Sequence, residues 1–197
     1  GKPILLHTVE RFVVDEFVDR VIVAVAEPLL ANIRQTERVR FVAGGATRQQ
    51  SVIRALASAS DLEPELIAVH DAVRPFFSHE VFHVALEAAR EYGAAVPVIP
   101  VTDTIHIASS EMTIAQTLER NQLAAAQTPQ CFRAEVLRDV LERAAAAGDD
   151  ATDEAGLAAR YGYQVKVVPG DAMNFKITRP EDLAYAETCL ATWSKQA

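Results

Sequence analysis

The sequence predicts an α/β fold in which helices flank a mainly parallel sheet. Apolar runs rich in β-branched residues alternate along the chain with segments whose apolar residues recur at helical spacing, which is the pattern of successive βαβ units. With 197 residues, half of them hydrophobic, the chain is long enough to bury one full core. Because no internal repeat, low-complexity tract or linker interrupts it, we expect residues 1–197 to form a single domain.

The first part of the chain opens with an amphipathic helix and then supplies four strands. The strands are predicted at residues 20–26, 38–43, 66–70 and 94–101. Helices are predicted at residues 47–57 and 78–93. Thr47 and Ser78 are suitable N-caps for these two helices. The fourth strand contains Pro97 and Pro100, which indicates a sheet edge or a bend.

The second part of the chain begins with an excursion from the sheet. Between residues 103 and 127, short polar and apolar alternation predicts a hairpin-like arm with little core of its own, which would bury its apolar face against a second subunit. Beyond the arm, helices are predicted at residues 132–147, 152–162 and 178–193, with a strand at 164–168.

The composition narrows the class of protein. A formal net charge of −8 argues against a nucleic-acid binder that works through a broad basic surface. Cys131 and Cys189 lack metal or redox spacing and are predicted to be packing residues, and the five histidines likewise show no metal-ligand spacing. Since no apolar run is long enough to span a membrane and no secretory signal is visible, we expect a cytoplasmic enzyme.

A charged pair follows the third predicted strand. Asp71 and Arg74 come directly after the apolar run 66–69, and ligands of open α/β sheets bind at the carboxyl ends of strands. The carboxylate suits Mg²⁺ or a sugar hydroxyl, and the guanidinium suits a phosphate. The alternative is that the two side chains pair with each other or cap the next helix.

A glycine pair, Gly44 and Gly45, separates the second strand from a helix. Glycines permit close approach of a ligand, and the free amides of a helix start favour an anion or a polar base edge. Arg48 and Ser51 lie one turn apart in this helix. An ordinary tight turn is the alternative interpretation.

Two further segments are candidates for a binding site. The proline-locked run 127–130 either lines a pocket with Thr128 or forms a plain loop. Lys176, one of only four lysines, precedes a helix and either neutralises a phosphate or lies free on the surface. No enzyme nucleophile or general base stands out, and separate cations with one carboxylate suit phosphoryl or nucleotidyl transfer.

Six runs of residues, taken in order, resemble one enzyme family. They are GGATRQQSV, VHDAVRP, PVTDTI, RNQLAAAQTPQCF, ATDEA and NFKITRPEDL. Together they resemble the bacterial and plastid 2-C-methyl-D-erythritol 4-phosphate cytidylyltransferases, from about Gly44 to the end of the chain. The resemblance implies a Rossmann-like nucleotidyltransferase fold and a homodimer formed through the arm. It also implies the Mg²⁺-dependent conversion of CTP and methylerythritol phosphate to 4-diphosphocytidyl-methylerythritol and pyrophosphate.

The same resemblance implies roles for individual residues. For CTP it implies Gly45, Arg48, Ser51, Asp71 and Ala72. For the polyol phosphate it implies Arg74, Thr104, Arg120, Thr128, Thr152 and Lys176, with Thr104 and Arg120 reaching the site from the neighbouring subunit. Lys176 and Asp71 would be the catalytic residues, and Asp71 would also contact the metal.

The sequence departs from the family in two places. Leu123 is followed by Ala124 where the family usually has tryptophan, which affects packing of the arm. The family also opens with a strand and a glycine-rich loop around the CTP triphosphate, whereas this sequence starts at Gly1-Lys2-Pro3. We therefore expect roughly 25–35 residues of strand, loop and connection to be missing, and very weak CTP turnover without them.

Two other functions remain open from the sequence. A ribitol-5-phosphate cytidylyltransferase shares the HD-x-x-RP and TPQ runs, although the Arg120-Asn121 and Ala126-Gln127 contexts favour the methylerythritol enzyme. A non-catalytic module that retains only the nucleotide-sugar fold is the second alternative.

Overall fold

The computed structural model describes residues 1–31, 33 and 35–193, with side chains described as far as residue 190. Its helices are α1 (Ile4–Val13), α2 (Glu27–Leu30), α3 (Arg48–Ala57), α4 (His79–Tyr92), α5 (Ala134–Ala147), α6 (Glu154–Arg160) and α7 (Pro180–Trp193). Its strands are β1 (Val21–Val25), β2 (Val39–Ala43), β3 (Leu66–Val69), β4 (Ala94–Pro100), β5 (His106–Ala108), β6 (Ile114–Thr117), β7 (Ala124–Ala126), β8 (Gln130–Arg133) and β9 (Val165–Pro169). A 3₁₀ turn at Arg120–Gln122 lies between β6 and β7.

The strands form three sheets, and the α/β class is confirmed. β1 and β2 pair in parallel, β5 and β6 form an antiparallel hairpin, and five strands form the central sheet in the order β3-β8-β4-β7, with β9 on the other side of β4. β8 runs antiparallel to both β3 and β4, and β9 runs parallel to β4. Three strands, β3, β4 and β9, therefore share one direction, as βα crossovers require.

The pairing within the central sheet is mixed, which corrects the expectation of a mainly parallel sheet. β8 lies between the two crossover strands β3 and β4, and β7 also pairs antiparallel with β4. The reason is the arm, which leaves the sheet after β4 and returns through β7 and β8. Because the returning chain runs back along the same side of β4, both strands that it forms there are antiparallel to β4.

Two sequence predictions around this return are wrong. Pro97 does not mark a sheet edge, because β4 has β7 or β8 on one side of it and β9 on the other, whereas Pro100 lies beyond the end of the β9 pairing and pairs only with β7. Pro97 lies where the antiparallel partner of β4 changes from β8 to β7, so its missing N–H is not needed there, while its carbonyl accepts from the Gln127 amide. Residues 132–133 belong to β8, and the following helix begins only at Ala134.

Two predicted helix N-caps are confirmed by the structure. The side chains of Thr47 and Ser78 accept hydrogen bonds from the amides of Gln50 and Val81, as predicted. In α6, by contrast, Asp153 and not Thr152 is the N-cap and accepts from the Gly156 amide.

The core fills both faces of the central sheet. One cluster joins β4 and β8 to α5 and α6, with Phe132 and Leu137 at its centre. The other joins the opposite face to α1 and α4 through Phe12, Phe77 and Phe82. Both cysteines are buried in such clusters, which confirms their packing role. None of the described helices combines the length and apolar character needed to cross a bilayer.

A cleft of about 960 Å³ separates β1 from β3. Its walls are side chains of both strands, and its rim includes the start of α3 and the segment that follows β3. The carboxyl end of β3 therefore opens on this cleft.

Candidate functional site

Asp71 lies just beyond β3, and three cations from separate parts of the chain converge on its carboxylate. Its Oδ1 lies 3.2 Å from Nε of Arg48, at the start of α3. Its Oδ2 lies 3.4 Å from Nε of Arg74, in the β3–α4 segment, and 3.2 Å from Nζ of Lys176, before α7. The pairing of Asp71 with Arg74 that the sequence left open is thus present, but it is one contact of three.

The three cations set the ionisation of Asp71. Burial alone would raise the pKa of this carboxyl, but Lys176 and Arg48 outweigh burial and hold the pKa below its ordinary value. Asp71 is therefore a carboxylate at neutral pH.

The cations differ in how firmly they are held. Arg74 is 13% exposed and donates from Nη1 to the Asn174 carbonyl oxygen at 2.7 Å, so its position is fixed on two sides. Lys176 is 43% exposed. Since Lys176 is the most accessible of the three, it is the cation best placed to exchange Asp71 for a phosphate.

Arg48 is anchored by the buried carboxylate of Glu154, which the sequence analysis did not single out. Nη1 of Arg48 donates to both oxygens of Glu154, at 2.8 and 2.6 Å, and the Glu154 side chain is 2% exposed. Burial raises the pKa of Glu154, and Arg48 limits that rise. Glu154 thus holds the guanidinium that reaches Asp71, and no local sequence signal connects residues 106 positions apart.

A chain of hydrogen bonds fixes the backbone of Asp71. The Asp71 amide donates to Oγ1 of Thr128 at 3.1 Å, and that hydroxyl lies 3.0 Å from Nδ1 of His70. Nε2 of His70 lies 3.0 Å from the Arg74 carbonyl oxygen, so Nε2 is the donor and Nδ1 accepts from Thr128. Thr128 is buried, and it acts on Asp71 through this chain.

His70 is a packed residue. Its ring lies against Phe12 and Phe77, with centroid distances of 5.1 and 4.9 Å. Burial lowers the pKa of His70 to about 4. The ring is therefore neutral at neutral pH, in agreement with the hydrogen bonds of its two nitrogens.

A side chain of α3 closes the glycine loop that precedes this helix. The Gly45 amide donates to Oγ of Ser51, which in turn donates to the Thr47 carbonyl oxygen, both at 3.0 Å. A Cβ added to Gly45 would lie 2.3 Å from Cβ of Gln50, so the loop requires glycine at this position. The hydroxyl of Ser51 shapes the loop and also lines the cleft.

Four of the five residues expected to contact CTP lie together on the rim of the cleft. They are Arg48, Ser51, Asp71 and Ala72. The Ala72 carbonyl accepts from Oγ1 of Thr8 at 2.8 Å, which ties this rim to α1. Lys176 lines the same cleft, so a bound anion could contact Lys176 and Arg48 together.

The residues expected to come from the arm do not join this cluster in the described contacts of a single chain. Arg120 is exposed and donates from Nη1 to the Thr102 carbonyl oxygen at 2.8 Å. Thr104 is exposed on the same arm, and Thr152 is exposed beside the N-cap of α6. These three remain predictions that depend on substrate or a second subunit.

Asn174 is a second residue that sequence analysis did not single out. Its Nδ2 donates to the Thr128 carbonyl oxygen at 2.7 Å, and its own carbonyl accepts from Arg74. Asn174 thereby links two parts of the site. Its buried Oδ1 has no hydrogen-bond partner among the described residues.

The donor set near Asp71 fits a magnesium ion only in part. Mg²⁺ prefers oxygen ligands and is usually held by one or two carboxylates together with substrate phosphates. Here Asp71 is surrounded by three cations, and Glu154 is occupied by Arg48. The cluster therefore suits an ion that takes most of its ligands from a bound nucleotide and one from Asp71.

Comparison with known proteins gives one consistent result. The family model described as 2-C-methyl-D-erythritol 4-phosphate cytidylyltransferase matches residues 1–192. Enzymes of that name from Solibacter usitatus and Acidobacterium capsulatum are 40% and 42% identical to this chain, over 96% and 94% of it and 82% of each relative.

A solved structure agrees with the sequence relatives. The crystal structure of 2-C-methyl-D-erythritol 4-phosphate cytidylyltransferase from Thermus thermophilus has a TM-score of 0.84 at 38% identity, covering 96% of this chain and 89% of that one. The family model matches nearly the whole chain, and the relatives resemble it both in sequence and in fold. The chain therefore belongs to the 2-C-methyl-D-erythritol 4-phosphate cytidylyltransferase family.

Proposed function

We propose that this chain transfers CMP from CTP to 2-C-methyl-D-erythritol 4-phosphate, giving 4-diphosphocytidyl-2-C-methyl-D-erythritol and pyrophosphate. One observation carries the proposal beyond family membership. Three cations surround a single carboxylate at the carboxyl end of a strand. This charge pattern suits two phosphorylated substrates that react with each other.

The reaction requires no nucleophile from the protein. An oxygen of the methylerythritol phosphate attacks the α-phosphorus of CTP, the new P–O bond forms, and the bond to the bridging oxygen of the β-phosphate breaks as pyrophosphate leaves. Negative charge builds up on the α-phosphoryl oxygens and the leaving group. Lys176, accessible and 3.2 Å from Asp71, would stabilise that charge.

Asp71, Arg48 and Arg74 have different proposed roles in the site. Arg48 is fixed by Glu154 and Arg74 by the Asn174 carbonyl, so both arginines position Asp71 and give the rim its positive charge. Asp71 would bind a ribose or polyol hydroxyl. Gly45, Ser51 and Ala72 would form the binding site for the cytidine part of CTP.

A divalent ion belongs to this proposal. Asp71 would provide its protein ligand, and phosphate oxygens of CTP would provide most of the others. When bound, Mg²⁺ would neutralise phosphate charge.

The arm completes the proposed site in a homodimer. Its hairpin exposes Ile107, Met112 and Ile114, which are 46%, 86% and 65% exposed, and an isolated hairpin is marginally stable in water. A second subunit would cover these side chains and bring Thr104 and Arg120 to the polyol phosphate, with Thr128 and Thr152 nearby. Because CTP is a cytoplasmic nucleotide, we place the reaction in the cytoplasm.

The test is pyrophosphate release from CTP and Mg²⁺ by protein expressed from the complete gene. We expect release with methylerythritol phosphate, and at least 100-fold slower release with ribitol 5-phosphate. Activity only with ribitol phosphate would replace the proposed acceptor. Calorimetric binding of CTP without turnover on either acceptor would indicate a non-catalytic module and contradict the proposal.

A further inference from the structure

A second group of side chains lies outside the Asp71 site, where α1 meets the start of α4. We propose that Asp15, His79 and His83 form a binding site for a divalent transition-metal ion of the zinc type. One ligand atom from each of the three side chains lies within 4.8 Å of the other two. The inference does not depend on the proposed transfer reaction.

The two histidines share one face of a helix. His79 is the first residue of α4 and His83 follows one turn later, which is a spacing that lets two imidazoles bind one ion. This corrects the prediction that the histidines lack metal-ligand spacing. Sequence analysis missed it because the third ligand, Asp15, is 64 residues away from His79.

Asp15 is held in place for both rings. Its side chain is 1% exposed, and its Oδ1 accepts from the Phe17 amide at 2.9 Å. Its Oδ2 contacts Nδ1 of His79 and lies 2.8 Å from Nε2 of His83. Three potential ligand atoms therefore already lie together, and an ion would replace the hydrogen bonds that Oδ2 of Asp15 makes with the two rings.

The surroundings suit a zinc-type ion better than magnesium. Two imidazole nitrogens and one carboxylate oxygen are ligands that Zn²⁺ accepts, whereas Mg²⁺ prefers oxygen alone. In a tetrahedral zinc site neighbouring ligand atoms lie about 3.3 Å apart, so Asp15 must move away from both rings, by about 0.5 Å from His83 and by more from His79. The histidine side chains are 34% and 35% exposed, which leaves room for a water ligand.

Binding would fasten two segments that frame the Asp71 site. Asp15 lies in the turn that leads from α1 to β1. His79 lies two residues after Phe77, whose carbonyl oxygen already accepts a hydrogen bond from Arg11 of α1 at 2.8 Å. An ion at Asp15, His79 and His83 would add a further link between the end of α1 and the start of α4, beyond the segment that carries Arg74. We therefore expect the ion to stabilise the fold without contacting the reacting groups.

The test is a calorimetric titration of tag-free protein with Zn²⁺ in the presence of millimolar Mg²⁺, together with visible absorption of the Co²⁺-loaded protein. We expect one Zn²⁺ per chain, Co²⁺ ligand-field bands, and a rise in Tm of about 5 °C or more at a hundredfold excess over Kd. His79→Ala and His83→Ala should each weaken binding at least 100-fold. His106→Ala, which removes an exposed histidine of the arm, should leave binding unchanged.

A second variant separates metal binding from a hydrogen bond alone. His83→Gln keeps an N–H donor for Asp15 but is a poor zinc ligand, so it should fold like the parent and lose both the Zn²⁺-dependent rise in Tm and the Co²⁺ bands. Equal Zn²⁺ affinity in the parent and His83→Gln, or no Zn²⁺ binding by the parent, would show that the three side chains form only a hydrogen-bonded cluster and would overturn the proposal.

Discussion

The cluster around Asp71 and the arm are both expected to bind substrate, yet they are built in opposite ways. Around Asp71, buried partners fix most of the polar groups, such as Glu154 for Arg48 and Thr128 for the Asp71 amide. On the arm, every residue of β5 and β6 is exposed, and the described side-chain hydrogen bond of Arg120 goes to the Thr102 carbonyl at the base of the arm. One region is organised within a single chain, and the other requires a partner.

This difference separates the roles of the two regions. A preorganised charge cluster stabilises a transition state because its groups need little rearrangement when charge develops. An exposed arm with apolar side chains can contribute binding once a second subunit covers it. Substitutions in the cluster should therefore change kcat or the KM for CTP, and substitutions on the arm should change the KM for methylerythritol phosphate and dimerisation.

The largest effect is expected at Lys176. Lys176→Ala removes the cation assigned to the developing phosphate charge and should lower kcat by about 100-fold or more. Lys166→Ala is the matched control, since Lys166 lies over the ring of Tyr92, 4.9 Å from its centroid, and faces no assigned substrate. Steady-state pyrophosphate release measures both variants, and an unchanged kcat for Lys176→Ala would refute its catalytic role.

The second effect is on stability and depends on pH through His70. Burial lowers the pKa of His70 from 6.5 to about 4, so the unfolded state binds more protons between these values. Stability is therefore highest above about pH 6.5 and should fall by roughly 3 kcal/mol as the pH drops toward 4.

His70→Gln should flatten this pH dependence, because glutamine does not titrate. The exposed residue His106 provides the control variant His106→Gln, which should keep the slope of the parent. Urea unfolding at several pH values measures the free energy of unfolding. An identical slope in His70→Gln and the parent would mean that another group causes the acid sensitivity.

The third effect concerns the anchor of Arg48. Glu154→Gln removes a buried carboxylate and should lower the free energy of unfolding by about 2 kcal/mol and raise the KM for CTP. Glu87→Gln removes the partner of Arg90 in an exposed ion pair and should have almost no effect. Equal losses of stability in the two variants would show that the buried ion pair contributes no more to the free energy of unfolding than the exposed one.

The smallest effect is expected from the arm. Arg120→Ala should raise the KM for methylerythritol phosphate several-fold while changing the KM for CTP and the kcat little. The reason is that Arg120 is assigned to the polyol phosphate and lies outside the Asp71 cluster. A larger change in the KM for CTP would place Arg120 elsewhere in the site.

Sequence reasoning succeeded where the determinants are local. Helical spacing and caps such as Thr47 and Ser78 located α3 and α4, and apolar β-branched runs located β1 to β3. β8 was missed because its four residues are mostly buried and run directly into α5, so no alternation marks a strand. The pairing of Arg48 with Glu154 and of Asp15 with His79 was missed because the partners lie 106 and 64 residues apart along the chain.

The central claim is that one subunit provides the Asp71 cluster and its partner provides the arm. Heterodimers of one Arg120→Ala subunit and one Lys176→Ala subunit test it most directly. If the site is shared, each heterodimer contains one intact site, and its rate of pyrophosphate release, measured well below the KM for methylerythritol phosphate where Arg120→Ala alone is also slow, should be about half that of the parent dimer. If Arg120 instead serves the site of its own chain, both sites are defective, and a verified heterodimer no more active than the mean of the two variant homodimers would contradict the account.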